Sequence, residues 1–183
     1  LEEELYKGNL YYNIRSDNFP SGEIRDQLHV IDAIPEINYM FRLDSSQVIP
    51  QPEDPSSSEG YAMFSVDCTT QLVEYMIVHD VPNPQTITLH FGGRGEEGVA
   101  IQLLNGIVSP VMGNLTLSSG AYVALLSETL YIEIISEEQT GDFPIIRGQV
   151  TNQYNHYAYL SGTQQVPPVT TAAKGLVFMN LEG

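Results

Sequence analysis

The chain has 183 residues, 42% of them hydrophobic, and carries 23 Asp plus Glu against 7 Lys plus Arg, a formal net charge of -16. The basic residues stand singly at Lys7, Arg15, Arg25, Arg42, Arg94, Arg147 and Lys174; phosphate binding needs them clustered, so nucleic acid is excluded as a partner. Cys68 is the only cysteine, which excludes a disulfide framework and a cysteine-based zinc site, and no apolar run reaches the length of a membrane span.

Along the chain, period-2 alternation rich in Tyr, Val, Ile and Thr dominates and helical periodicity is nearly absent. Residues 9–15 and 23–31 read as strands around the loop NFPSGE, 37–44 as the next strand, and VIPQPEDPSSSEG as a loop. YAMFSVD (61–67) and QLVEYMIVHD (71–80) predict a hairpin. TITLHFG (86–92) and VAIQLLN (99–105) predict strands joined by the tight turn GRGEEG. SGAYVALL (119–126) is the one place for a short helix. TLYIEII (129–135), IIRGQVTNQ (145–153), HYAYLSGT (156–163) and GLVFMNLE (175–182) complete the strands. Many short strands at this spacing mean a sandwich or a barrel. The absence of a signal peptide and a first residue that is Leu1 rather than Met lead us to expect a processed chain or a section of a longer one.

An internal repeat organises these elements. Leu10-Tyr11 matches Leu130-Tyr131, and Ile24-Arg25-Asp26-Gln27-Leu28 matches Ile146-Arg147-Gly148-Gln149-Val150. In the other direction FRLDSSQVIP (41–50) matches YLSGTQQVPP (159–168), and SEGYAMFSVD parallels AKGLVFMNLE. The period is roughly 120 residues, so the chain holds about one and a half units. The boundaries expected are 1–36 for the end of one unit, 37–153 for a complete unit and 154–183 for the start of a third.

NLYYNIRSDNFPSGEIRDQL is similar to the closing motif of chordin-type (CHRD) domains, LSGTQQVPPVTTAAKG to their opening motif, and TITLHFGGRGEEGVAIQLL to their middle motif. In the middle motif Thr88 replaces the first histidine of a His-x-His pair and His90 keeps the second. The resemblance covers nearly the whole chain. It implies an all-β, immunoglobulin-like antiparallel β-sandwich, here with strand-bearing N- and C-terminal arms. It also implies an extracellular or cell-surface setting, frequent tandem arrangement and no catalytic activity.

The residues themselves offer little chemistry. The four histidines, His29, His79, His90 and His156, share no metal-ligand spacing, and His90 reads as a structural residue at the start of the Gly turn. HFGGRGEEG lacks the Gly-Lys-Ser/Thr ending of a phosphate loop, so its glycines serve positive φ in a turn. No Gly-x-Ser-x-Gly elbow is present. No Asp-x-Asp-x-Asp-Gly loop is present; no cofactor is expected, with structural calcium on carboxylate and carbonyl ligands as the minor alternative. Asn114-Leu115-Thr116 is a glycosylation sequon expected in a loop. The expected function is a structural subunit or repeat of an extracellular filament or surface assembly, not an enzyme. Its partners are copies of itself or adjacent repeats, joined head-to-tail by β-strand complementation. The residues assigned to strand pairing are Leu10, Tyr12, Ile14, Ile24, Tyr157, Tyr159, Val177 and Met179. The alternative is a secreted binding module, in a tandem array, for a growth-factor-like protein or a glycan.

Overall fold

A computed structural model describes residues 4–5, 7–30, 36–137, 144–152 and 156–179. Among those residues it is mostly β with short helical segments, and it divides into two compact units. Residues 33–153 form one unit; the other is assembled from both ends of the chain, 1–32 and 154–183.

The contiguous unit carries β4 (Glu36–Asp44), β5 (Glu59–Asp67), β6 (Leu72–His79), β7 (Pro84–Phe91), β8 (Ala100–Leu103), β9 (Val111–Thr116), helix α1 (Ser119–Leu126), β10 (Leu130–Ser136) and β11 (Pro144–Gln149). Its eight strands make one antiparallel sheet in the order β8-β7-β10-β11-β4-β5-β6-β9. Alternation along each strand sends one set of side chains inward. Phe41, Phe64, Val66, Val73, Tyr75 and Ile77 share a core with Ile87, Leu89, Ile132, Ile134 and Ile146. Strands β6 and β7 stand five places apart in the sheet order yet feed that one core, so the sheet curls over itself as a sandwich does. The curl is fastened by hydrogen bonds from β6 to the 104–109 segment. Tyr75 Oη accepts from Asn105 N at 3.0 Å, His79 Nε2 meets Ile107 O at 2.9 Å, and His79 N donates to Ser109 Oγ at 2.9 Å. Each buried Leu, Ile, Val or Phe contributes about 1.5–3 kcal/mol, so this core carries the stability of the unit.

Helix α1 forms where the sequence predicts it. Ser118 caps it by accepting from Ala121 N, and Ala121 and Leu125, one turn apart, face the core. Strand β9 is absent from the sequence reading because Pro110 and Gly113 interrupt its pattern. Gly113 is required: a Cβ there would lie 2.4 Å from Tyr75 Oη, and Tyr75 is its ladder partner on β6.

The second unit contains β1 (Tyr11–Ser16), β2 (Phe19–Gln27), β3 (His29–Val30), β12 (His156–Ser161) and β13 (Lys174–Met179). The sheet order is β1-β2-β12-β13, with β3 also pairing β12. The loop expected at residues 18–23 is instead a two-residue turn, Asp17-Asn18, and β2 begins at Phe19. Gly22 accounts for the difference. It sits at φ +140, and a Cβ there would meet Asn13 Oδ1 at 2.4 Å, so a residue that reads as loop punctuation lets β2 bend past β1. Its core is small: Leu5, Ile24, Leu28, Ala158 and Leu160 are buried, with Leu10, Ala173, Val177 and Met179 packed against them.

The two units share their registers. Tyr11 pairs with Gln27 as Tyr131 pairs with Gln149, and Ile14 with Ile24 as Ile134 with Ile146. Ser161 faces Arg25 as Asp44 faces Arg147. Each of β4 and β12 runs into a one-turn 3-10 segment, Ser45–Gln47 or Gly162–Gln164, whose last glutamine donates back to the carbonyl five residues earlier. Gln47 therefore corresponds to Gln164, and the sequence match of FRLDSSQVIP with YLSGTQQVPP is one residue out of register there.

Candidate strand edges and a buried guanidinium cleft

The eight residues assigned to strand pairing fall into two groups. Tyr12 and Ile14 lie on β1, an edge strand, and are 38% and 46% exposed. Ile24 is buried, and Leu10, Val177 and Met179 pack around it in the unit's own cluster. Tyr159 is half-buried; its N–H donates to Asp26 Oδ2 at 2.7 Å and Lys174 Nζ lies 5.8 Å from its ring centroid. Tyr157 sits on β12 in register with Phe178. The sequence reading missed Tyr11, which is 51% exposed on the same edge with the Arg25 guanidinium 3.7 Å over its ring. At the matching ladder positions of β10, Tyr131, Ile132 and Ile134 are at most 1% exposed, because β7 pairs along that side.

Asn114 lies on β9, an edge strand, and not in a loop as the sequence suggested. It pairs in register with Glu74 and is exposed, as is Thr116.

The densest polar chemistry lies where the 92–98 loop crosses β11. On that strand Arg147 and Gln149 point to one side and flank Gly148. A Cβ at Gly148 would lie 2.6 Å from Leu43 Cγ and 2.8 Å from Arg42 O, so only glycine lets β4 approach. The Tyr131 ring is held between two partners, His90 stacked with centroids 4.8 Å apart and the Arg147 guanidinium at 3.5 Å. Arg147 Nη2 donates to Gly93 O at 3.1 Å; Gln149 Nε2 donates to Gly92 O, Glu128 O and Leu130 O at 3.1, 2.7 and 2.9 Å. Tyr131 Oη accepts from Gly98 N at 2.9 Å. Two buried side chains thus pin a glycine-rich loop, with Gly92 at φ +147 and Gly95 at φ +82.

His90 Nε2 lies 2.7 Å from Thr88 Oγ1 and 3.4 Å from Glu133 Oε2. Thr88, in place of the family's first histidine, serves as that hydrogen-bond partner. Burial pushes the Glu133 carboxyl up to about 7, against the pull of Arg147, and burial pushes the His90 imidazolium down. Beside this group opens a cleft of about 420 Å³ lined by Ile49, Gln51 and Arg94, with the buried Arg147 and Gln149 as its floor. No set of three or more His, Cys, Asp or Glu among the described residues is placed to hold a metal ion. No helix among them is long and apolar enough to cross a membrane.

The family model of the CHRD domain matches residues 39–150, which run from within β4 to just past β11. No curated protein and no solved structure matches the chain.

Proposed function

The chain belongs to the CHRD domain family, and from that premise we propose that it is an extracellular structural module that joins copies of itself, or adjacent repeats of one polypeptide, through open strand edges. CHRD domains are a non-catalytic module family typical of secreted proteins, which supports the extracellular setting and a binding role. In the finer reading, residues 33–153 are one complete domain, and the two end segments together supply the four central strands of a second. The single observation that carries it is the contrast between β1 and β10. Registers are the same, yet Tyr11, Tyr12 and Ile14 are 38–51% exposed where their counterparts are at most 1% exposed.

The geometry of the edge supports an open assembly. Strand directions alternate across β1-β2-β12-β13, so the two edge strands run in opposite senses. A second copy displaced sideways without rotation then brings its β13 antiparallel to β1 of the first. That contact is heterologous and does not close on itself, which makes a filament. Covering three half-exposed side chains contributes about 3 kcal/mol, below the cost of association, which starts at about 4 kcal/mol. Main-chain ladder bonds supply the remainder, so each contact is weak and growth depends on concentration.

Sedimentation velocity and negative-stain microscopy across a concentration series test this. Mass rising with concentration and strand-edge filaments are expected, and Ile14→Lys, a charge on the edge, abolishes both while leaving a folded chain. A monodisperse monomer at high concentration sinks the reading and moves the alternative, a secreted module for a growth-factor-like or glycan ligand, into first place. One observation favours that alternative: the cleft above Arg147.

A further inference from the structure

We propose that the cleft between the 3-10 turn after β4 and the 92–98 loop binds a carboxylate that bears a hydroxyl on the β-carbon, the group presented by the C6 carboxylate and C4 hydroxyl of a uronic-acid residue. The floor of the cleft is a buried pair with opposite needs. Arg147 is 1% exposed and its Nη1 has no hydrogen-bond acceptor among the described residues; Gln149 is 2% exposed and its Oε1 has no donor. The amide orientation is fixed, because Gln149 Nε2 already donates to three carbonyls. Arg147 cannot turn away either, since Nη2 is bound to Gly93 O and the guanidinium plane lies on Tyr131.

An unpaired buried donor or acceptor costs about 1–3 kcal/mol. A ligand that serves both recovers that cost, and it must present an acceptor to Nη1 and a donor to Oε1 from the same cleft. A carboxylate with a hydroxyl on its β-carbon does so, and charge selects it over a neutral ring. Two of the chain's 7 basic residues, Arg94 and Arg147, line the cleft, and no acidic residue among those described does. Arginine is the side chain suited to carboxylates. Ser46 and Gln51 at the rim add polar groups for a hydroxylated ring, and Ile49 gives it an apolar face.

The test is titration of the full chain with D-galacturonate, followed by amide NMR shifts, with D-galactose as the uncharged control. Saturable millimolar binding of the acid that moves the Gly93, Arg94 and Gln149 amides, and no binding of galactose, are expected. Arg94→Gln, an exposed position, weakens the acid roughly tenfold, and Ile49→Trp, which fills the cleft, abolishes it. These two variants carry the test if Arg147→Gln does not fold. Oligogalacturonides that bind roughly tenfold or more tightly than the monosaccharide assign a polysaccharide source, whereas equal binding of 3-hydroxybutyrate assigns a free hydroxy acid. No binding of galacturonate, equal binding of galactose, or indifference to both variants overturns the proposal. Because the β1 and β13 edges take no part, the Ile14→Lys chain binds as the parent does, which separates this result from that of the assembly experiment.

Discussion

Glu133 is 8% exposed, its carboxylate is 3.4 Å from His90, and burial holds its pKa at about 7 against an ordinary 4.5. Between those two values the folded chain holds a proton that the unfolded chain has released, so stability falls as pH rises through that window. His90 and His79, both pushed down by burial, act in the opposite sense: the unfolded chain takes up protons below about 6.5, so stability falls as pH drops. Glu133→Gln removes the first effect and keeps the second. Its thermal midpoint is expected to exceed that of the parent at pH 8, by the equivalent of about 1–3 kcal/mol, and to match it near pH 4; equal midpoints at pH 8 would refute this. Gly148→Ala drives a Cβ into Leu43 and the Arg42 carbonyl and is expected to cost roughly 2–4 kcal/mol in denaturant unfolding. IIRGQV announces a strand, but not that its arginine and glutamine reach a loop more than 50 residues earlier. That contact follows from sheet order, where β11 lies next to β10 and β10 next to β7. Alternation does not encode such order, and the cleft was illegible for that reason.

Strands were legible where alternation runs unbroken, as in β5, β6 and β10, and lost where a glycine serves a neighbour and not a turn. Gly113 makes room for Tyr75 on the adjacent strand, and Gly22 for Asn13; in a linear reading both look like loop punctuation, which hid β9 and shortened β2. The internal match is one residue out of step at the 3-10 turns, because Gln164 and Gln165 are both glutamine and the bond to the Tyr159 carbonyl falls on Gln164. The corrected place of Asn114 changes its meaning. A glycan on an exposed edge-strand residue beside Met112, 51% exposed, would stop other strands from adding to β9. Secreted protein is expected to lose mass on enzymatic deglycosylation. Asn114→Gln is expected to leave the thermal midpoint within about 1 °C and to add a second, branched mode of association. Unchanged association would remove this role for the site.

The unit built from both ends of the chain rests on five buried apolar residues among those described, against a core several times larger in residues 33–153. Hydrophobic stabilisation follows buried apolar area, so the end-built unit opens first. Native-state hydrogen exchange is expected to show β2 and β12 amides exchanging at least about tenfold faster than those of β5 and β10, and equal protection would show one cooperative structure. Removal of residues 154–183 takes away β12 and β13 and is expected to unfold β1 and β2 while leaving 33–153 folded, as limited proteolysis would show.

Met40 and Asn152 form a parallel bridge, so the chain enters and leaves the contiguous unit at neighbouring points, and that unit is spliced into the other as a closed loop. Tension applied near residues 4 and 179 must then cross the seam between β2 and β12 before any of it reaches the larger core. Among the described residues the seam holds one register pair, Ser161 with Arg25, the Asp26 carboxylate on Tyr159 N and the short β3, with Thr171 Oγ1 on Glu23 and Gln165 Nε2 on Asn13 as side-chain ties. In a fibre under load it would act as a mechanical fuse. It parts at low force and lengthens the chain by a fixed step, and it can re-form when slack returns because the bracketed unit keeps its two exits side by side.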